Sequence, residues 1–197
     1  MELLFYLLSL LGILLASLGI TFLLNCYMKK RGFTVYCTIN YLIVIIVSTA
    51  LYIFGGISIW TIKGVIMLLI LLCASVQDIS THEADDSLWI MLFVLSFVNI
   101  EETLMWSMVL SGAIVFVPQI VIVILSKGNS IGGADIKLST AAAFSLGLYK
   151  GIIGFMIGLV FAIAFQLIYN KIKKQSFNKA FALIPFIGTG FMFSYFI

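Results

Sequence analysis

The stretch LLFYLLSLLGILLASLGITFLL, residues 3–24, decides the fold class of this chain. An α-helix needs about 20 apolar residues to cross the hydrocarbon core of a bilayer, and this run has that length. Transmembrane β-strands are shorter and alternate apolar with polar residues, so the run predicts a helix. Glu2 is the only charge before it. Without a basic n-region, we expect a retained anchor rather than a cleaved signal peptide.

The rest of the chain has the same character. Of its 197 residues, 63% are hydrophobic and only 10% are charged, and the mean hydropathy is +1.23. A soluble domain would carry about 25% charged residues, and in lipid only helices and closed barrels satisfy the backbone. The composition predicts an all-α, polytopic transmembrane helix bundle. Residues 1–197 are expected to form a single integral-membrane domain, with no soluble domain and no long linker.

The hydrophobic pattern predicts about eight spans. They are Leu3–Cys26, Thr34–Phe54, Ile57–Gln77, Leu88–Ile100, Thr103–Ser126, Leu138–Tyr149, Gly151–Tyr169 and Phe181–Ile197. The fourth and sixth are too short to cross a bilayer alone. They either extend into their flanking loops or form half-buried pieces.

The basic residues predict the orientation, because lysine and arginine are enriched in cytoplasmic loops. With the N-terminus outside, only Lys63 and Lys150 fall on the outer face. The other face collects Lys29, Lys30, Arg31, Lys127, Lys137, Lys171, Lys173, Lys174 and Lys179. That face is therefore predicted to be cytoplasmic. It also holds Asp78, Glu83, Asp85, Asp86 and Asp135, whereas Glu2, Glu101 and Glu102 fall outside.

Nucleic-acid binding and metal binding are not expected. The net charge of +3 reflects membrane topology, so it indicates no nucleic-acid partner. Cys26, Cys37 and Cys73 form no CxxC pair and are expected to be small buried hydrophobes. His82, the only histidine, begins the sequence HEADD. A zinc-protease HExxH motif would need a second histidine where Asp86 stands, so no metal site is predicted.

Two loops on the predicted cytoplasmic face each carry an aspartate at a helix boundary. In VQDISTHEADDSL (76–88), Asp78 ends the third span, and in KGNSIGGADIKL (127–138), Asp135 opens the sixth. Ionisable groups at membrane depth are costly and usually functional. Structural interpretations remain open, because Asp135 could be an ordinary helix N-cap and Asp78 could be a solvated loop acid.

The glycine pair Gly132 and Gly133 stands just before Asp135. Glycine has no side chain, so a backbone or a substrate can approach closely, and a positive φ is permitted. A glycine pair before an acid fits a site where another molecule must reach that acid.

The sequence GGADIKL (132–138) resembles the GxGD motif of type IV prepilin peptidases and archaeal preflagellin peptidases, which are intramembrane aspartyl proteases. A second motif of that family is an aspartate followed, six to eight residues on, by Ile/Leu-Pro-Asn/Asp. At those offsets Asp78 is followed by Ala84-Asp85-Asp86. Asp86 keeps the last polar position, and the Ile-Pro pair is lost.

Two further segments extend the resemblance over nearly the whole chain. LGITFLLNCYMKKRG (18–32) is similar to the first helix of the bacterial enzymes, with its Leu-Asn pair and Arg-Gly. ALIPFIGTGF (182–191) is similar to the Ile-Pro-Phe-Gly-Pro segment of the last helix, with the final Gly-Pro changed to Ile-Gly.

The chain departs from the family pattern at two points. Ala134 replaces the glycine of the strict motif, a small change that archaeal relatives tolerate. Bifunctional bacterial members carry a long cytoplasmic loop with two CxxC pairs, associated with N-methylation of the product. Here KKRGFTVYCTINYL (29–42) passes almost directly into the second span. The resemblance therefore implies a peptidase without methyltransferase activity.

The resemblance implies that Asp78 and Asp135 are the catalytic pair, with Gly132, Gly133, Ala134, Asp85 and Asp86 around them. One ionised carboxylate would take a proton from water, while the protonated partner polarises the scissile carbonyl. Two carboxylates about 3 Å apart share one proton. Contact between the third and sixth spans is expected to join them. The sequence leaves open which one is the base, and no cofactor is expected.

The resemblance also implies the substrate, a pilin, pseudopilin or archaellin precursor. Such precursors carry a short basic leader, a glycine at the cut and an apolar helix. The acidic loop of Glu83, Asp85 and Asp86 would attract the leader at the cytoplasmic face of the cell membrane. Lys137 is expected to reach lipid phosphate. The sequence does not indicate an oligomeric state.

Two other classes were compared with this interpretation. Presenilin-type proteases pair their GxGD motif with Tyr-Asp and Pro-Ala-Leu, but Asp78 follows Gln77 and the chain has no Pro-Ala-Leu. A small carrier or proton pathway using paired acids is the alternative function. It predicts acids near the middle of spans and a repeated topology.

Overall fold

A computed structural model describes residues 2–99, 104–127, 131–173 and 181–197, and the regular elements in these ranges are all α-helices. In chain order they are α1 (Glu2–Lys30), α2 (Cys37–Gly55), α3 (Ile59–Thr81), α4 (Asp86–Ser96), α5 (Met105–Leu125), α6 (Gly133–Leu146), α7 (Leu148–Lys173) and α8 (Ile184–Tyr195). The predicted all-α class is confirmed. Predictions for four charged residues lie outside the described ranges, namely those for Glu101, Glu102, Lys174 and Lys179.

Five of the described helices, α1, α2, α3, α5 and α7, are long and apolar enough to cross a membrane. Helices α4, α6 and α8 have 11, 14 and 12 residues. At 1.5 Å per residue they rise about 17–21 Å, short of the ~30 Å hydrocarbon core. The chain is therefore a multi-pass membrane protein with five helices of spanning length, and the count of eight spans stays a prediction. The fourth and sixth segments both begin and end earlier than predicted.

Helix α6 ends at a turn centred on a single residue, Gly147. Gly147 has φ 77°, a conformation that glycine adopts without steric cost. Its N–H donates to the Ala143 carbonyl at 3.1 Å, and its own carbonyl accepts from the Gly151 N–H at 2.8 Å. Helix α7 consequently begins at Leu148, directly after the turn and before the predicted start at Gly151.

Helix α3 is the core of the bundle, because two thirds of the residues in its most apolar stretch are buried. It packs against α1, α2, α4 and α8. Its two ends differ in charge. Arg31 and Lys137 pair with acids of the loop that follows Asp78, whereas Lys63 and Lys150 line one cavity of about 320 Å³ at the opposite end. The two basic groups thus lie at opposite ends, and which end faces the cytoplasm stays a prediction.

Helices α7 and α8 approach each other more closely than side chains would allow. A Cβ added to Gly190 would lie 2.3 Å from the Gly154 carbonyl oxygen and 2.4 Å from the Gly158 nitrogen. Small residues let membrane helices bring their backbones together. The position of α8 is therefore set by a backbone contact with α7.

Candidate active site

Asp78 lies in the last turn of α3 with only 4% of its surface exposed. Its Oδ2 accepts a hydrogen bond from the backbone N–H of Ile184 at 2.9 Å. Ile184 is the first residue of α8, so this N–H has no partner within its own helix. Pro185, the next residue, has no N–H to offer. Asp78 is therefore buried rather than solvated, and it links the end of α3 to the start of α8.

Asp135 lies in the first turn of α6, a helix too short to span the membrane. Its Oδ1 is enclosed and has no hydrogen-bond partner among the described residues. Burial raises the pKa of Asp135 to about 7, and the charge of Asp78 adds to the rise. A carboxyl group with such a pKa can hold its proton up to about neutral pH.

The helices that carry the two aspartates share two neighbours. In the described part of the chain, α3 and α6 do not form one of the extensive helix pairs, but α4 and α8 each pack against both. The predicted contact between the third and sixth spans is not among these extensive pairs, so it stays a prediction.

The glycine pair is used for space rather than for unusual backbone angles. Gly132, the N-cap of α6, has φ −67° and ψ 143°, which any residue can adopt. A Cβ there would lie 3.0 Å from Asp135 Oδ2, so a side chain at this position would crowd the carboxyl group. A Cβ on Gly133 would meet nothing within 4 Å. Ala134, the next residue, is half-buried. The permitted positive φ is not used at either glycine, and only Gly132 is needed for the space it leaves beside Asp135.

A comparison with protein families gives one match, to the type IV leader peptidase family, over residues 65–167. This range is just over half of the chain, and it runs from α3 into α7 with both aspartates inside it. The chain belongs to the type IV leader peptidase family. The family predicted from GGADIKL is thereby confirmed, and membership makes the protein a peptidase. Comparisons with curated proteins and with solved structures gave no match.

Two acids of the acidic loop of this leader peptidase pair with basic residues of the same chain. Asp85 forms an ion pair with Arg31 and accepts a hydrogen bond from Gln77 Nε2 at 2.9 Å. The Asp85 N–H also donates to Gln77 Oε1 at 2.7 Å. These contacts tie the end of α1 to the loop after α3.

Asp86 has a similar arrangement on the other side. Lys137 Nζ lies 2.7 Å from Asp86 Oδ1, and Trp89 Nε1 donates to the same oxygen at 3.1 Å. These two hydrogen bonds lower the pKa of Asp86. Lys137, expected to reach lipid phosphate, is therefore paired within the chain. The loop carries less uncompensated negative charge than its sequence indicates.

Sequence reasoning missed two residues that form hydrogen bonds around the candidate site. The sequence predicted no function for Gln77. Its side chain is 2% exposed and forms two hydrogen bonds with Asp85, one with the carboxylate and one with the backbone N–H. A buried amide next to a buried acid could have been a signal. Ile184 bonds Asp78 through its backbone, which no side-chain motif reports.

Proposed function

We propose that this protein is an intramembrane aspartyl endopeptidase that removes the short basic leader of type IV prepilin-like precursors at the cytoplasmic face of the cell membrane. The observation that carries the proposal is that the leader peptidase family match contains both the buried Asp78 and the half-buried Asp135, on two helices that share α4 and α8 as neighbours. Coupled carboxyl groups that share a proton can act as an acid and a base together.

The surroundings of the two carboxyl groups support distinct roles. The Ile184 N–H donates to Asp78, and a bond of this kind favours the ionised form. Asp135, with its pKa raised to about 7, keeps the proton. Asp78 takes a proton from water, and the water oxygen attacks the scissile carbonyl carbon while Asp135 donates to the carbonyl oxygen. The C–N bond then breaks as the proton on Asp78 passes to the leaving amine. Asp135 takes back a proton from one hydroxyl of the tetrahedral intermediate as the carbonyl re-forms.

The product of this reaction is proposed to keep a free N-terminal amine. Only residues 31–36 connect α1 to α2, so the long loop with two CxxC pairs that accompanies N-methylation is missing between them. A peptidase without methyltransferase activity is the corresponding proposal.

The alternative of a small carrier or proton pathway has less support. It predicts acids near the middle of spanning helices. Asp78 instead lies in the last turn of α3, and Asp135 in the first turn of the short α6.

The experiment is cleavage of a prepilin-like substrate in membranes by the parent protein, Asp78→Asn, Asp135→Asn and the double variant. We expect each single change to abolish cleavage, because an amide cannot exchange the shared proton. The losses should be far from additive, since either change stops the unit. In the Asp78→Asn variant the amide oxygen can still accept the Ile184 N–H, so the fold should persist.

Glu83→Gln is the matched control, an acid-to-amide change in the exposed loop. It should cleave at close to the parental rate at physiological salt. Parental cleavage by Asp135→Asn would refute the proposal.

A further inference from the structure

An apolar groove runs along the membrane-facing surface between α2 and α8, with α3 as its floor. Its volume is about 640 Å³. Helices α2 and α8 each pack against α3, but in the described residues they do not form an extensive contact with one another. The bundle therefore leaves a gap between two helices that share a neighbour.

The walls of the groove have the pattern of a helix-binding surface. On α2, Ile39, Ile43 and Ile46 face it at helical spacing, and on α8 the facing residues include Pro185 and Thr189. Such i, i+3, i+4 and i+7 stripes are the pattern by which helices pack together. The groove has the walls that one more helix would need.

The length of the groove also suits a helix. The floor residues run from Leu68 to Ile79 of α3, which at 1.5 Å per residue is a distance of about 16 Å, or three helical turns. A polypeptide bound at membrane depth must be helical, because its backbone groups need internal hydrogen-bond partners.

One end of the groove meets the candidate active site. Ile79 and Pro185 line it, and each directly follows a residue of the hydrogen-bonded pair Asp78 and Ile184. The polar lining residues Thr34 and Ser75 are near this end, since Thr34 is bonded to Ser80 in the turn after Asp78. A helix lying in the groove would thus reach the water boundary beside the catalytic aspartate.

We propose that this groove seats the apolar helix of the substrate, so that the residues before that helix lie across Asp78. The inference rests on the proposed function. It assigns to α2 and α8 the selection of a substrate with an apolar helix directly after the cleaved bond. The exposed aliphatic wall of α2 is then a binding surface in addition to a lipid contact.

Photocrosslinking tests the location directly. Benzoylphenylalanine is placed at Ile46 or Thr189, on the two walls, in the Asp135→Asn variant, which retains uncleaved substrate. Ile163 on α7 is the control, because it is 58% exposed and lies outside the groove. With a prepilin-like substrate in the same membranes, we expect crosslinks at Ile46 and Thr189 and few at Ile163. Equal yields at the three positions, or only lipid adducts on the two walls, would overturn the proposal.

A kinetic test uses the same positions in the active protein. Ile46→Trp should raise KM about tenfold with kcat nearly unchanged, the scale of one misfitting group in an apolar site. Ile163→Trp, the same substitution on another exposed face, should leave both constants at the parental values. A parental KM for Ile46→Trp would refute the groove assignment. A parent that does not cleave would refute the proposed function instead, while wall crosslinks to an apolar helix would still support the groove.

Discussion

Gly190→Ala tests whether the position of α8 controls the active site. The new Cβ would lie 2.3 Å from the Gly154 carbonyl oxygen and 2.4 Å from the Gly158 nitrogen, both backbone atoms of α7. Ordinary contact between such atoms needs about 3.5 Å, so α8 must move away by about 1 Å. Backbone atoms cannot turn aside as the end of a flexible side chain can.

The size of the effect follows from this displacement. Ile184 lies on the same short helix as Gly190, so the shift reaches the bond between its N–H and Asp78. From 2.9 Å, a lengthening of about 1 Å takes the bond beyond hydrogen-bond range. Overpacking of this kind costs about 1–3 kcal/mol of stability. A misplacement of about 1 Å at a catalytic group costs about a hundredfold in rate.

Two assays measure the two consequences, namely thermal unfolding in detergent micelles and cleavage of a prepilin-like substrate in membranes. Gly188→Ala is the control for unfolding, because its Cβ would meet Leu71 at an ordinary 3.6 Å. Gly19→Ala on α1, with nothing within 4 Å, is the control for cleavage. Gly190→Ala should unfold at a lower temperature than Gly188→Ala and cleave about a hundredfold more slowly than Gly19→Ala. Parental stability and rate in Gly190→Ala would refute the reasoning.

Three further predictions concern pH, product and topology. The pKa of Asp135 is raised from 3.8 to about 7, so the fold favours its protonated form. The contribution of this proton to the free energy of unfolding is fully present below pH 3.8 and is lost as pH rises through about 7. Cleavage in membranes should fall about tenfold between pH 6 and pH 8 as the proton is lost, and a level profile would contradict the role of Asp135. Mass spectrometry of the product after incubation with S-adenosylmethionine should show an unmethylated N-terminus, and a methyl increment that depends on this protein would be the opposing result. Single cysteines at Lys30 and Glu83 should be labelled only from the cytoplasmic side and one at Glu101 only from outside, whereas outside labelling of position 83 would reverse the predicted orientation.

The sequence predicts the helical class and the family well, because both depend on local patterns. A run such as residues 3–24 reports its environment directly, since a helix in lipid must be apolar over its whole length. The aspartate at each helix boundary can likewise be read from the change between apolar and polar residues. Helix ends are less predictable. Helix α6 begins at Gly133, before the predicted start at Leu138. The hydrophobic pattern missed its first turn because that turn contains Asp135.

Helix neighbours could not be predicted from the same pattern. Lipid tails are as apolar as leucine side chains, so hydrophobicity does not report which helices are in contact. The bond between Asp78 and Ile184 joins residues 106 positions apart, and the pairing of Asp86 with Lys137 depends on the seating of α4 against α6. Consequently the ion pairs of Asp85 with Arg31, just after α1, and of Asp86 with Lys137 of α6 could not be predicted, although both acids remain at the surface.

If Asp78 is the proposed base, its location between two helix ends makes α8 part of the chemistry. The C-terminal end of a helix carries partial negative charge, so the last turn of α3 disfavours an ionised carboxylate. The N-terminal end of α8 carries the opposite partial charge, and its Ile184 N–H is directed at Asp78. The two helix ends therefore oppose each other at one carboxyl group, and a small displacement of α8 changes the balance between the charged and neutral forms. Asp135 lies in the first turn of α6, where the helix end favours a carboxylate, but burial outweighs this and raises its pKa to about 7. We therefore predict that the proton of the pair rests on Asp135 while α8 stays in place.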